Sequence, residues 1–162
     1  MPRVYVSIGS NIEREANIRA AVQGLRERYG GLVLSSVYES EAVGFKGEDF
    51  YNLVAAFDSE EAVSEIGDFL RGLEQRRGRR RGGARFASRT LDMDLLLYGD
   101  QVLEEGRIRL PRDEITACAF VLCPLAEIAG SERHPVSGLC YEALWREFDK
   151  RGQRLAPVSL VL

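Results

Sequence analysis

Asp92 and Asp94 stand two residues apart in the stretch TLDMDLLLY, where Leu91, Met93, Leu95 and Leu97 alternate with polar positions. That is the period of a strand with one buried face, so both carboxylates project from the opposite face, roughly 6 to 7 Å apart. One divalent ion, or two, could sit there. Magnesium takes one or two protein carboxylates and leaves its other positions to water and phosphate oxygens. A solvated strand face is the competing reading of any D-x-D pair.

The residues just before the pair change that balance. Arg76, Arg77, Arg79, Arg80, Arg81, Arg85 and Arg89 crowd into one segment, spaced by Gly78, Gly82 and Gly83. Guanidinium groups fork onto phosphate oxygens, and glycines let the backbone bend around such a ligand. Arginines beside metal-binding carboxylates suit phosphoryl transfer, which is mostly positioning and charge stabilisation. The same run also reads as a mobile solvated loop or an RNA-binding patch. RNA fits less well, because Asp92 and Asp94 would repel a phosphate backbone and the whole chain carries a net charge of -3. Neither GxxxxGK[ST] nor a GxGxxG that opens a helix occurs, so a P-loop or dinucleotide site is not supported.

Other reactive residues carry less. His134 is the single histidine and sits before a proline, which favours a structural role. Cys118, Cys123 and Cys140 form no CxxC pair and are odd in number, which suggests neither zinc nor a disulfide framework and fits a reducing cytoplasm. No apolar run approaches a membrane span, and the first residues carry no targeting pattern. A chain of 162 residues, 45% hydrophobic, suits one domain with its own core.

The elements that must position these groups are legible in outline. RVYVSI reads as a strand, and Ile18, Ala21, Val22, Leu25 and Tyr29 mark one stripe of a helix over 13–29, stopped by Gly30 and Gly31. LVLSSVYES and DFYNLVAAFDS read as the next two strands. Ser59 can cap a helix carrying Ala62, Val63, Ile66, Phe69, Leu70 and Leu73 on one side. TLDMDLLLY follows as a fourth strand. QVLEEGRIRL suggests two short edge strands, CAFVLCPLAEIA a helix with Pro124 near its boundary, and YEALWREFDKRG a last helix before an apolar tail. The order β-α-β-β-α-β predicts an α+β fold of ferredoxin-like type with C-terminal helices added.

Five blocks in this order and spacing resemble 6-hydroxymethyl-7,8-dihydropterin pyrophosphokinases: YVSIGSN, ESEAVG with DFYNLVAAF, E-x4-R-x-R from Glu74 to Arg81, RTLDMDLLLYG, and LP with FVLCPLAEIA. The resemblance implies an enzyme of folate biosynthesis that transfers pyrophosphate from ATP to the pterin hydroxymethyl group and releases AMP. It implies that Asp92 and Asp94 hold two Mg2+ ions. Glu74, Arg79, Arg81, Arg85, Arg89 and Arg107 fall at ATP-site positions, with Arg79 and Arg89 nearest the transferring phosphates. Phe50 and Phe120 would sandwich the pterin, Asn52 would bind its edge, and Ser40 to Gly44, including Val43, would complete its recognition. A cytoplasmic protein, monomeric and without nucleic-acid or membrane partners, is expected.

The chain departs from the family pattern at several places. Arg112 stands where a histidine is usual and keeps a charge for phosphate, whereas Cys118 stands where an arginine is usual. Phe86 replaces a tryptophan, and Glu41 and Ala42 replace common prolines. These substitutions leave open a relative that binds pterin or nucleotide with lost or redirected activity, and the Arg/Gly segment leaves open an RNA-binding α/β module.

Overall fold

β1 (Arg3–Ser10) is the strand around which the molecule is built: it pairs antiparallel with two partners at once, so both of its edges are covered. The structure, a computed structural model, describes residues 1–41, 48–78 and 91–162. After β1 come α1 (Arg14–Tyr29), β2 (Val33–Leu34), β3 (Val37–Ser40), β4 (Phe50–Asp58), α2 (Val63–Arg76) and β5 (Asp92–Tyr98). There follow β6 (Leu103–Glu105), β7 (Ile108–Leu110), α3 (Glu114–Ala117), α4 (Ala119–Ala129), α5 (Tyr141–Glu147) and β8 (Leu155–Val158). The main sheet runs β5-β1-β4-β3-β8, with β2 also paired to β4, and its described pairings are antiparallel.

Strand alternation divides the core in two. Val4, Val6 and Ile8 of β1 and Leu53, Ala55 and Phe57 of β4 meet the apolar stripes of α1 and α2, including Ile18, Val22, Leu25, Ile66 and Leu70. Tyr29 ends the α1 stripe by stacking on Phe57, ring centroids 3.9 Å apart. The opposite face sends Tyr5, Val54 and Ala56 against Leu122 and Leu125 of α4, with Tyr141 of α5 behind them. Each face therefore buries the alternate residues of the same strands.

Several boundaries differ from the sequence reading, each for a local reason. LVLSSVYES is two strands rather than one, because Ser35 breaks the ladder: its N–H donates to the Val54 carbonyl while its Oγ accepts the Val54 N–H at 2.9 Å. Ser59 does not cap α2; its Oγ accepts the Glu61 N–H, and the helix starts after Ala62. Leu97 does not join Leu91, Met93 and Leu95. A register shift between Tyr5 and Val6 sends both Leu96 and Leu97 to the α4 side. Pro124 lies inside α4, where the carbonyl that loses its helical donor is that of Phe120, in the solvent-facing first turn. β6 and β7 form a hairpin of their own, α5 ends at Glu147, and the tail contributes β8 as an edge strand, which tolerates Pro157.

Among the described residues no helix is long and apolar enough to cross a membrane. The three cysteines are free. His134 is structural: its Nδ1 accepts the N–H groups of Val136 and Ser137 at 3.2 and 3.1 Å, and its backbone bonds Leu139 and Gly138. Burial pushes its pKa below the ordinary histidine value. The folded protein thus keeps the imidazole neutral to lower pH than the unfolded chain does. Its contribution to stability is complete above pH ~6.5 and declines as pH falls below that value. We expect the protection of amides in 134–139, measured relative to their intrinsic exchange rates, to fall on acidification through this window in the wild type, and the fall to vanish in His134→Asn.

Candidate active site

The carboxylates sit where the layer of helices on the α4 face gives out. Strand β5 places Asp92 opposite Gly9 and Asp94 opposite Ser7, and β4 places Asn52 on the other side of Gly9. These positions share the α4 face with Tyr5, Val54 and Leu96, but α4 packs on those deeper residues and only Phe120 of its first turn reaches the open end. The uncovered end of the sheet is a cavity of about 170 Å³ lined by Ser7, Gly9, Ser40, Phe50, Asn52, Phe120 and the two aspartates, with Glu41 at its edge.

Within this cavity the amide of Asn52 is held in place. Asn52 is 5% exposed, and its Nδ2 donates to Ser40 Oγ at 2.7 Å. Gly9 leaves the room: a Cβ there would stand 3.0 Å from Asn52 Oδ1 and 3.9 Å from the Phe50 ring. Phe120 is 37% exposed although it belongs to an apolar helix, so its ring is not spent on the core. Aromatic rings and one fixed amide edge suit a flat heterocycle with polar edges.

A second cavity, about 410 Å³, lies on the other side of the same aspartates. Its walls are basic: Arg71 of α2, Arg107 at the tip of the β6–β7 hairpin, Arg109 and Arg112. The hairpin turn is two residues long, Gly106 and Arg107, and Gly106 takes the left-handed φ of 61° that such turns require. Arg112 is half-buried between two acids, with Nη2 3.4 Å from Asp94 and Nε 2.8 Å from Glu114. Arg109 pairs with Glu104 and Asp113 and is more exposed.

Glu74 belongs to the scaffold of this cavity. It is 5% exposed, and its Oε2 accepts the N–H of Met93 at 3.0 Å, between the two aspartates. The last turn of α2 is thereby tied to the strand that carries them. Arg77 is spent on structure, its Nε donating to Asn17 Oδ1 of α1 at 2.7 Å. Burial pushes the Cys118 thiol above its ordinary pKa, with Glu114 adding to the effect, so it stays protonated rather than nucleophilic.

The sequence-predicted residues Ser40, Phe50, Asn52 and Phe120 meet at one cavity, Glu74, Arg107 and Arg112 at the other, and Asp92 and Asp94 belong to both. Arg79, Arg81, Arg85, Arg89, Val43 and Gly44 lie outside the described residues, as do Arg80 and Phe86. Ser7 and Gly9 line the first cavity without having been singled out; the register of β1 against β5 is what brings them there. No group of three or more His, Cys, Asp or Glu side chains gathers as a metal site among the described residues. Two carboxylates on one strand face, open to a cavity, nevertheless fit magnesium, which draws its remaining ligands from water and phosphate.

Comparison with known proteins gives a consistent result. A family model described as 7,8-dihydro-6-hydroxymethylpterin-pyrophosphokinase (HPPK) matches residues 5–130. A 2-amino-4-hydroxy-6-hydroxymethyldihydropteridine pyrophosphokinase of Pseudomonas aeruginosa is 39% identical over 138 residues, covering 82% of this chain and 84% of its own. The Haemophilus influenzae protein of the same name is 30% identical over 161 residues, covering 97% and 100%. Among solved structures, a Plasmodium falciparum HPPK-DHPS superposes with a TM-score of 0.67 at 12% identity, covering 91% of this chain. This chain spans 43% of that larger protein, and the likeness concerns the fold.

The Glu74 contact makes a separate prediction. Glu74→Ala leaves the buried Met93 N–H without its acceptor and should lower stability by about 1–3 kcal/mol. Glu74→Gln, which retains an acceptor, should recover part of the loss in chemical denaturation.

Proposed function

The chain belongs to the 7,8-dihydro-6-hydroxymethylpterin-pyrophosphokinase family, and we propose that its two adjoining cavities hold the two substrates of one transfer reaction. It is an ATP-dependent pyrophosphokinase of folate synthesis. The hydroxymethyl oxygen of 6-hydroxymethyl-7,8-dihydropterin bonds to the β-phosphorus of ATP, the bond from that phosphorus to the α-phosphate bridging oxygen breaks, and AMP leaves. The observation that carries this reading is the wall shared by Asp92 and Asp94, with an aromatic cavity on one side and a basic one on the other.

In this reading the pterin lies between Phe50 and Phe120, and Asn52, held by Ser40, meets its polar edge, with Val43 and Gly44 completing that side. The triphosphate lies against Arg107 and Arg112, joined by Arg79, Arg81, Arg85 and Arg89, while Glu74 keeps α2 on β5. Arg79 and Arg89 bear on the transferring phosphates. Asp92 and Asp94 would hold two Mg2+ ions, which when bound offset phosphate charge. The protein's own part is to bring the hydroxyl and the phosphorus together in line, to keep water from competing, and to answer charge that shifts toward the leaving phosphate.

The strand order supports a ferredoxin-like core, β1-α1-(β2,β3)-β4-α2-β5, to which α3, α4 and α5 are added as parts of one domain. A cytoplasmic location accords with three free thiols.

AMP formation from ATP, Mg2+ and the pterin tests the assignment. Asp92→Ala and Asp94→Ala should each reduce kcat by about 10³-fold or more, since each removes charge compensation at the phosphates. Both side chains are half-exposed, so circular dichroism should show the fold retained. Wild-type turnover in either variant would remove the carboxylates from the reaction. Binding of both substrates by the wild type without AMP would instead identify a relative that has lost transfer, the reading favoured by Cys118 at a usual arginine position.

A further inference from the structure

Phe120 is the second residue of α4, so its place depends on what fixes the beginning of that helix. The first amides of a helix have no acceptor within it. The residue before α4 is Cys118, whose side chain makes no capping bond. The N–H of Ala119 is instead taken by Gln153 Oε1 at 2.7 Å. The other end of the same amide, Nε2, donates to the carbonyl of Ala117 at 3.2 Å. One side chain thus spans the corner at which α3 ends and α4 begins.

The residues after Gln153 reach the opposite wall. Arg154 Nη1 lies 3.2 Å from Glu41 Oε1, and Leu155 pairs in the β3–β8 ladder with Ser40, the residue that accepts the Asn52 amide. The Arg154–Glu41 pair has side-chain exposures of 85% and 55%, so screening leaves it little weight. The hold therefore rests on Gln153 and the ladder, which place the two walls of the aromatic cavity at a distance set by a short run of extended chain.

We propose that Gln153 is a positioning residue for the pterin cavity, fixing Phe120 through the first turn of α4, while β8 fixes Ser40 and Asn52 across from it. This rests on the reading of that cavity as the pterin site. None of the residues that these contacts reach lines the basic cavity, so the larger effect falls on the pterin.

The test compares Gln153→Ala, Gln153→Glu and, as a neighbouring control, Arg151→Ala, whose described partner is Asp149 alone. Titration with 6-hydroxymethyl-7,8-dihydropterin in the presence of a non-hydrolysable ATP analogue and Mg2+ should show Gln153→Ala binding the pterin about 3- to 10-fold more weakly, the worth of one or two hydrogen bonds. Affinity for the ATP analogue alone should change less than about twofold in the same variant, the scale of an uncoupled site. Gln153→Glu keeps the acceptor for Ala119 and loses the donor for Ala117, so it should fall between; Arg151→Ala should match wild type. Unchanged pterin affinity in Gln153→Ala, or equal losses for both ligands, overturns the proposal. Amide exchange at Ala119 provides a readout that needs no pterin: it should quicken in Gln153→Ala while exchange within β1 and β4 is unchanged, and equal rates in wild type and variant would overturn the hold. If the wild type fails to bind the pterin, the assignment of the cavity falls, and the exchange result still decides what Gln153 does.

Discussion

β1 lies between β4 and β5 with Gly9 facing Asn52 on one side and Asp92 on the other, and the register of those two ladders decides which residues of the three central strands face the aromatic cavity. A slip of one residue in β5 would turn Asp92 and Asp94 toward Ile18 and Ile66 and bring Met93 and Leu95 to the open face. Such a slip is opposed by both cores together, because burying two carboxylates among apolar side chains costs far more than the ladder can return. The chemistry is thus held in place by hydrophobic residues that never touch it.

The same geometry sets the electrostatics. Each aspartate serves two environments, one aromatic and without a cationic side chain among its described lining residues, the other crowded with guanidinium groups. Arg112 is braced by Glu114 on one side and Asp94 on the other, which holds a long side chain in place before any phosphate arrives and reduces the ordering it must undergo on binding. An arginine at this position is therefore more than a stand-in for a titratable ring. It links the start of α3 to the strand of carboxylates.

How much of this was legible in the sequence depended on whether the signal was local. The D-x-D strand and both long helices were, because periodicity and short motifs are written in consecutive residues; Phe50 and Phe120 were placed at the site only by the family resemblance, since an aromatic in an apolar run reads equally as core. What was not legible lay in relations between distant segments. Ser35 breaks a strand by bonding to Val54, and nothing in SS announces that partner. The tail was legible only as apolar; that it pairs with β3 as an edge strand, where Pro157 needs no donor on the outer side, depends on a partner over a hundred residues away. Gln153 could not be singled out, since its meaning lies in Ala117 and Ala119, more than thirty residues away.

The register shift opposite Tyr5 and Val6 has a consequence for how β5 can vary in length. Upstream of it, side-chain parity is dictated by Asp92 and Asp94; downstream, by Tyr98, whose hydroxyl donates to the Glu61 carbonyl at 2.8 Å. Without the irregularity Asp92, Asp94 and Tyr98, which are even-spaced, would all face the same side, and the open face of the carboxylates and the helix face of Tyr98 could not both be served. With it, the strand consists of two separately phased halves joined at Leu96. Changes of length at that joint fall on a residue already out of step, so the part of the strand that meets the helix layer can be rebuilt while the part that carries the carboxylates stays in place.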